Sequence, residues 1–168
     1  GDIVDSPATD LASWLPELTA LRARHGVFAI LGNHDEHVGA DRVAGALGRW
    51  TSVRVLRDEV ATLAFGDARL HLAGLEYRVE APARAALAEV VARVPPDEPM
   101  LLLAHHPNLF PAAAAAGVPL TLSGHTHGGQ VAVPGAPWIN PARLPVTRWY
   151  AGTYVHDRST LHVNRGLG

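Results

Sequence analysis

Val27-Phe28-Ala29-Ile30-Leu31-Gly32-Asn33-His34-Asp35 is an unbroken apolar run, with β-branched and aromatic members, that stops at a glycine and then presents an amide, an imidazole and a carboxylate. A short apolar run bounded by a turn residue reads as a strand buried on both faces. The polar triplet is then delivered at its C-terminal end. The same arrangement recurs along the chain. Met100 to Ala104 leads into His105-His106-Pro107, and Val118 to Leu122 leads into Gly124-His125-Thr126-His127. A fourth block, Gly1-Asp2-Ile3-Val4-Asp5, opens the chain, so any strand ahead of it is expected upstream. Donors at the carboxyl ends of successive strands stand where an open α/β sheet places its ligands.

The intervening segments support a mixed α/β domain. Asp10 followed by Leu11, Trp14, Leu15, Leu18 and Leu21 predicts a helix that ends near Gly26, weakened in its first turns by Pro16. His25, beside Gly26, is expected at the helix end, where the dipole favours a partly charged imidazole. Asp41 to Trp50 reads as a short helix. From Val53 to Leu75 the pattern alternates, and Gly66-Asp67 as a turn between Val60–Phe65 and Arg69–Leu72 predicts a β-hairpin. Pro82 to Val94 reads as an alanine-rich helix closed by Pro95-Pro96, and Leu109 to Ala116 as a shorter one. Gln130 to Val133 is expected as a strand, and Pro134 to Pro145, containing Trp138, as a loop. Trp149 to Tyr154 and Thr160 to Val163 should form a last hairpin around His156-Asp157-Arg158.

Composition narrows the function classes. With 168 residues the chain can bury one domain's core, and neither an internal repeat nor an interdomain linker is visible. A net charge of −2 and a pI near 6.6 give no basic nucleic-acid signature. The absence of cysteine removes disulfides, thiolate metal sites and cysteine nucleophiles together. No apolar run reaches the length of a transmembrane helix, and no signal peptide is visible.

Taken singly, each block has an ordinary explanation: Gly-Asp after a strand is usually a turn, Asn-His-Asp is often a helix cap, and a His-x-His pair arises by chance. His71, His156 and His162, in or beside the hairpins, read as ordinary histidines. Together the blocks offer oxygen and imidazole donors with no thiolate, a set suited to divalent Mn, Fe or Zn. His125 and His127 would share a face on a regular strand, whereas a tight turn at Gly124 and Gly128 could send them to different ions.

In order and spacing, these blocks resemble the calcineurin-like metallophosphoesterases, whose pattern runs D-x-H, G-D-x-x-D, G-N-H-[DE], H, G-H-x-H. The chain matches the last four, with Gly1-Asp2 opening the second. Gly124-His125-Thr126-His127-Gly128-Gly129-Gln130 and the closing Val163-Asn164-Arg165-Gly166-Leu167-Gly168 look like the bacterial branch with many membrane-associated members. The resemblance spans the whole chain but lacks the D-x-H block. It therefore implies that residues 1–168 are a phosphoesterase domain truncated at its N-terminus and also short at its C-terminus, a four-layer α/β/β/α sandwich missing its first strand.

By the same resemblance, Asp2 bridges two divalent ions, Asn33, His105 and His125 complete one of them, and His127 serves the other. His34 is then not a ligand. It faces the scissile phosphate as acid or charge stabiliser, with Asp35 orienting its ring and Asp5 standing near the bridge as a capping or supporting residue. Of the pair His105-His106, the family pattern favours the first as ligand. Asn164 and Arg165 are expected to hold the last strand, with phosphate contact as the alternative. The implied activity is hydrolysis of phosphoester or pyrophosphate bonds by metal-bound hydroxide, on a phosphorylated small-molecule or lipid-linked substrate; the resemblance favours a full-length protein that is membrane-associated or exported, with a cytoplasmic location as the alternative. Two other readings compete. A non-catalytic scaffold of the same fold typically loses ligands or the catalytic histidine, and here Asp2, Asn33, His34, His105, His125 and His127 all stand. A barrel amidohydrolase also uses His-x-His but needs more strand-helix units than this length provides.

Overall fold

The computed structural model describes residues 1–129 and 148–167. In chain order its elements are α1 (Leu11–Trp14), β1 (Val27–Ala29), α2 (Asn33–Val38), α3 (Ala40–Trp50), β2 (Val53–Val55), β3 (Glu59–Phe65), β4 (Ala68–Gly74), α4 (Glu80–Val91), β5 (Met100–Leu103), α5 (Phe110–Ala115), β6 (Leu120–Ser123), β7 (Gly152–His156) and β8 (Ser159–Val163). Among the described residues β1 and β2 pair in parallel, and the other strands form a second sheet in the order β3-β4-β5-β6-β8-β7.

Three apolar interfaces stack these pieces into helix, sheet, sheet and helix. Leu11 and Leu15 from α1 and its continuation meet Val43 and Leu47 of α3 over Val27, Ala29 and Val53 of the small sheet. Phe28 and Ile30 turn the other way and bury against Ala61, Leu72, Leu101 and Leu103 of the large sheet. On the far face Ala73, Met100, Leu102 and Ala104 pack under Leu87 and Val90 of α4 and Ala113 of α5. The alternation within β5, with Leu101 and Leu103 on one face and Met100 and Leu102 on the other, is the two-residue period of a strand covered on both sides. This is the expected layered α/β architecture.

One local expectation needs correction. The predicted helix from Leu11 toward Gly26 is α-helical only to Trp14 and continues as a 3-10 helix over Leu15–Ala20. Pro16 is the cause, since it has no N–H to give the carbonyl four residues back and its ring clashes with that carbonyl. Asp10 does cap the start, accepting from the Ala12 N–H at 3.1 Å. With no helix ending at His25, that ring lies against Phe65 instead, 4.2 Å between centroids. The hairpin expected around Gly66-Asp67 forms from Glu59–Phe65 and Ala68–Gly74, while Val53–Val55, at the start of the alternating stretch, pairs with β1. The final hairpin forms as expected, from β7 and β8. The strand expected at Gln130 to Val133 and the loop from Pro134 to Pro145, with Trp138, lie outside the described residues.

Topology brings the functional blocks to one edge. Strands β4, β5, β6 and β8 run parallel, so the segments after Gly74, Leu103, Ser123 and Val163 all emerge at the same end of the large sheet.

Candidate metal centre

Asp2 is the hub of a cluster at that edge. One carboxylate oxygen accepts from His105 Nε2–H at 2.9 Å and the other from the His34 backbone N–H at 2.9 Å. His125 joins them, such that ligand atoms of Asp2, His105 and His125 all lie within 4.8 Å of one another. Asn33 enters through its Oδ1, 2.7 Å from His125 Nδ1. An amide oxygen can only accept, so His125 carries its proton on Nδ1 and presents Nε2 as a lone pair.

Close backbone approach makes this convergence possible. A Cβ built on Gly32 would stand 2.2 Å from Asp2 Oδ1, and one on Gly1 would stand 2.7 Å from His105 Nδ1. Only hydrogen fits at either position. Asp2 (φ 55°), His125 (φ 69°) and His127 (φ 49°) all adopt left-handed backbone. Such conformations cost on the order of 1–3 kcal/mol each for residues with a side chain and persist where the surroundings enforce them.

The protonation states suit a divalent cation, which needs ionised carboxylate and neutral imidazole. Burial alone would raise the Asp2 pKa, but the His105 hydrogen bond and charge and the His34 N–H outweigh it and bring the value down to about 2. His125 is lowered to about 4, first by burial and then by the neighbouring histidines 106 and 105, against the opposing charge of Asp2. Carboxylate, amide oxygen and imidazole side by side therefore fit a hard-to-borderline ion.

Asp35 does not orient the His34 ring, contrary to the sequence expectation. Its side chain is fully buried, with one oxygen accepting from Ile3 N–H and Val4 N–H at 2.9 and 3.0 Å and the other from Gly32 N–H at 2.8 Å. The physical reason is that Asp35 is the third residue of α2, where a carboxylate folds back onto the helix-capping amide. It ties the Asp2 segment to the end of the small sheet. The neighbour of His34 is Asp5, whose carbonyl lies 3.2 Å from His34 Nδ1 and whose carboxylate lies 3.7 Å away. A carbonyl partner places the proton on Nδ1, leaving Nε2 of this half-exposed ring directed elsewhere.

The remaining residues sort by contact. His105 meets Asp2, whereas His106 accepts the Asn108 N–H on its own Nδ1 and stacks on His125 with ring centroids 4.4 Å apart. Burial, then the charge of His105, lowers the His106 pKa. His127 is exposed in the turn beyond His125 and lies outside the clustered triad. The Arg165 side chain crosses that turn, since a Cβ on Gly128 would stand 3.0 Å from Arg165 Cγ.

Sequence reading missed Tyr77. Its ring lies 5.9 Å from His105 and 6.3 Å from His125, and burial, then the charge of Asp2, raises its pKa. The available signal was that Tyr77 follows the end of β4. What sequence did not reveal is that β4 lies beside β5. Ion pairs fix the strap that carries it: Glu76 binds Arg57 and Arg78, Arg57 reaches Asp41 at 2.5 Å, and Arg78 reaches Asp58 at 2.6 Å.

Residues 1–129 match the family model described as calcineurin-like phosphoesterase. An uncharacterized metallophosphoesterase of Campylobacter jejuni, Cj0846, is 33% identical over 100% of this chain and 44% of its own length. The phosphodiesterase YaeI of Escherichia coli is 29% identical over 84% of this chain and 51% of its own. The chain thus spans about half the length of these relatives. One solved structure superposes with a TM-score of 0.55 at 11% identity, covering 90% of this chain and 61% of that one, a likeness of fold alone.

Proposed function

The chain belongs to the calcineurin-like phosphoesterase family, whose chemistry is metal-dependent phosphoester hydrolysis, and we propose that it forms the core of a dinuclear phosphohydrolase. One observation carries this reading. Asp2, near the start of the chain, and His105 and His125, more than a hundred residues later, bring ligand atoms within 4.8 Å of one another, with Asn33 attached. A non-catalytic scaffold would not need four metal donors gathered at one sheet edge.

Asp2 would be shared between two ions, with Asn33, His105 and His125 completing one and His127 contributing to the other. Bound divalent ions would supply Lewis acidity and a water acidified toward neutral pH. The protein's own contribution is placement. His34 is held by its backbone N–H to Asp2, and its ring is steadied by Asp5, so a protonatable imidazole stands beside the cluster. That imidazole can give a proton to a departing alkoxide or stabilise charge on phosphoryl oxygens. Tyr77 and His106 pack against the ligand rings and limit their motion.

The name of the Escherichia coli relative supports a phosphodiester among the substrates. The likeness of the Gly124–Gln130 string to the membrane-associated branch supports a phosphorylated small-molecule or lipid-linked substrate. No helix among the described residues is long and apolar enough to cross a membrane. The test is hydrolysis of bis(p-nitrophenyl) phosphate by the full-length protein, with Mn²⁺ and after exhaustive chelation. Activity should vanish with the metal and return on its addition, and activity that survives chelation would refute the proposal.

A further inference from the structure

Beside the metal cluster lies a cavity of about 440 Å³ between the strap after β4, the start of α4 and the segment from His105 to Ala112. The volume is within the range of roughly 300–1,000 Å³ that holds small organic ligands. His105 belongs to both the cavity wall and the ligand cluster, and Tyr77 and His106 lie between them. The cavity thus adjoins the residues that would hold the metals, within reach of a group attached to a phosphorus bound there.

The character of the wall selects that group. Val79, Ala83, Leu109 and Ala112 give it apolar surface, and Tyr77 and His106 give it aromatic surface. Its formal charges balance: Glu76 and Glu80 against Arg78 and Arg84. Arg78 lies between Asp58 and Glu76, whose carboxylates offset its charge, although its buried Nη1 makes no well-formed hydrogen bond. Arg84 stands one helical turn from Glu80 on α4. A second phosphate would lose its hydration here without a net positive partner, at a cost an uncharged group does not carry.

Building on the phosphohydrolase reading, we infer that this cavity is the specificity pocket of the site and seats an uncharged, apolar or aromatic organic group esterified to the phosphate. The substrate class is then an ester of such an alcohol, not a diphosphate.

Calorimetric titration of the Mn²⁺-loaded full-length protein tests this without requiring turnover. The ligands are inorganic phosphate, phenylphosphonate, propylphosphonate and 3-phosphonopropionate. The last two have tails of similar length, but one ends in a carboxylate. Phenylphosphonate should bind on the order of tenfold more tightly than phosphate, as expected for burying one ring. Propylphosphonate should bind more tightly than 3-phosphonopropionate. Ala112→Phe, and separately Val79→Trp at a half-exposed position on the rim, should abolish the advantage of phenylphosphonate and leave phosphate affinity unchanged. A flat series in the wild-type protein, tighter binding of the carboxylate tail, or an advantage that persists in both filled variants would overturn the inference. Failure of inorganic phosphate to bind at all would instead count against the phosphohydrolase reading.

Discussion

Replacing Asp35 with alanine separates two accounts of the motif Asn33-His34-Asp35. If the carboxylate served to orient His34, its loss would reduce turnover and leave the fold intact. The structure instead gives it three backbone partners, the amides of Gly32, Ile3 and Val4. Hydrogen bonds to a charged group contribute about 1.5–3 kcal/mol each, and orphaned buried amides cost a comparable amount. With some relief from water entering at the half-buried Ile3 amide, Asp35→Ala should cost roughly 4–6 kcal/mol. That is much of the 5–15 kcal/mol or so that holds a domain folded. Asp35→Asn keeps one accepting oxygen but turns an NH2 toward another donor, so about half that loss is expected. Urea denaturation of the full-length variants measures both: the midpoint should fall by more than about 1 M in the alanine variant, with the slope unchanged. A midpoint within a few tenths molar of wild type, combined with turnover reduced a hundredfold, would refute this reasoning and return Asp35 to the role of ring orienter.

Other substitutions divide ligands from catalysts. His34→Ala should lower turnover on an aryl phosphodiester by roughly two to four orders of magnitude, with metal content near normal by elemental analysis. His125→Ala and Asn33→Ala should strip metal instead, and the same analysis would show it. Gly32→Ala places a methyl 2.2 Å from the Asp2 carboxylate, so a loss of about 1–3 kcal/mol in stability is expected together with weakened Mn²⁺ binding, read by denaturation and titration. The 168-residue chain alone should show one firm Mn²⁺ site in calorimetry, supplied by Asp2, Asn33, His105 and His125, and a much weaker second one, because Asp2 and His127 are too few ligands to compete with water. Two tight sites would mean that the ligands are wrongly divided between the ions.

Local pattern determined a good deal about this protein. Apolar runs ending in Gly32, His105 and Gly124 are strands because their length, composition and stopping residues act over a few neighbours, and the hairpin turns at Gly66-Asp67 and Asp157-Arg158 are chemical choices of the same range. Which donors could serve a metal was also readable, since side-chain chemistry travels with the residue. Tertiary structure decided what depends on who stands next to whom. Pairing of β4 beside β5 brought Tyr77 to the metal edge, a placement that no periodicity along the chain encodes. The helical turn at Asn33 carried the Asp35 carboxylate away from the adjacent ring and onto amides some thirty residues distant in sequence. The turn after Ser123, with left-handed backbone at His125 and His127, put one histidine in the cluster and left the other exposed. Sequence proximity limits where a side chain can reach, but backbone direction and the packing of distant strands select the partner it meets.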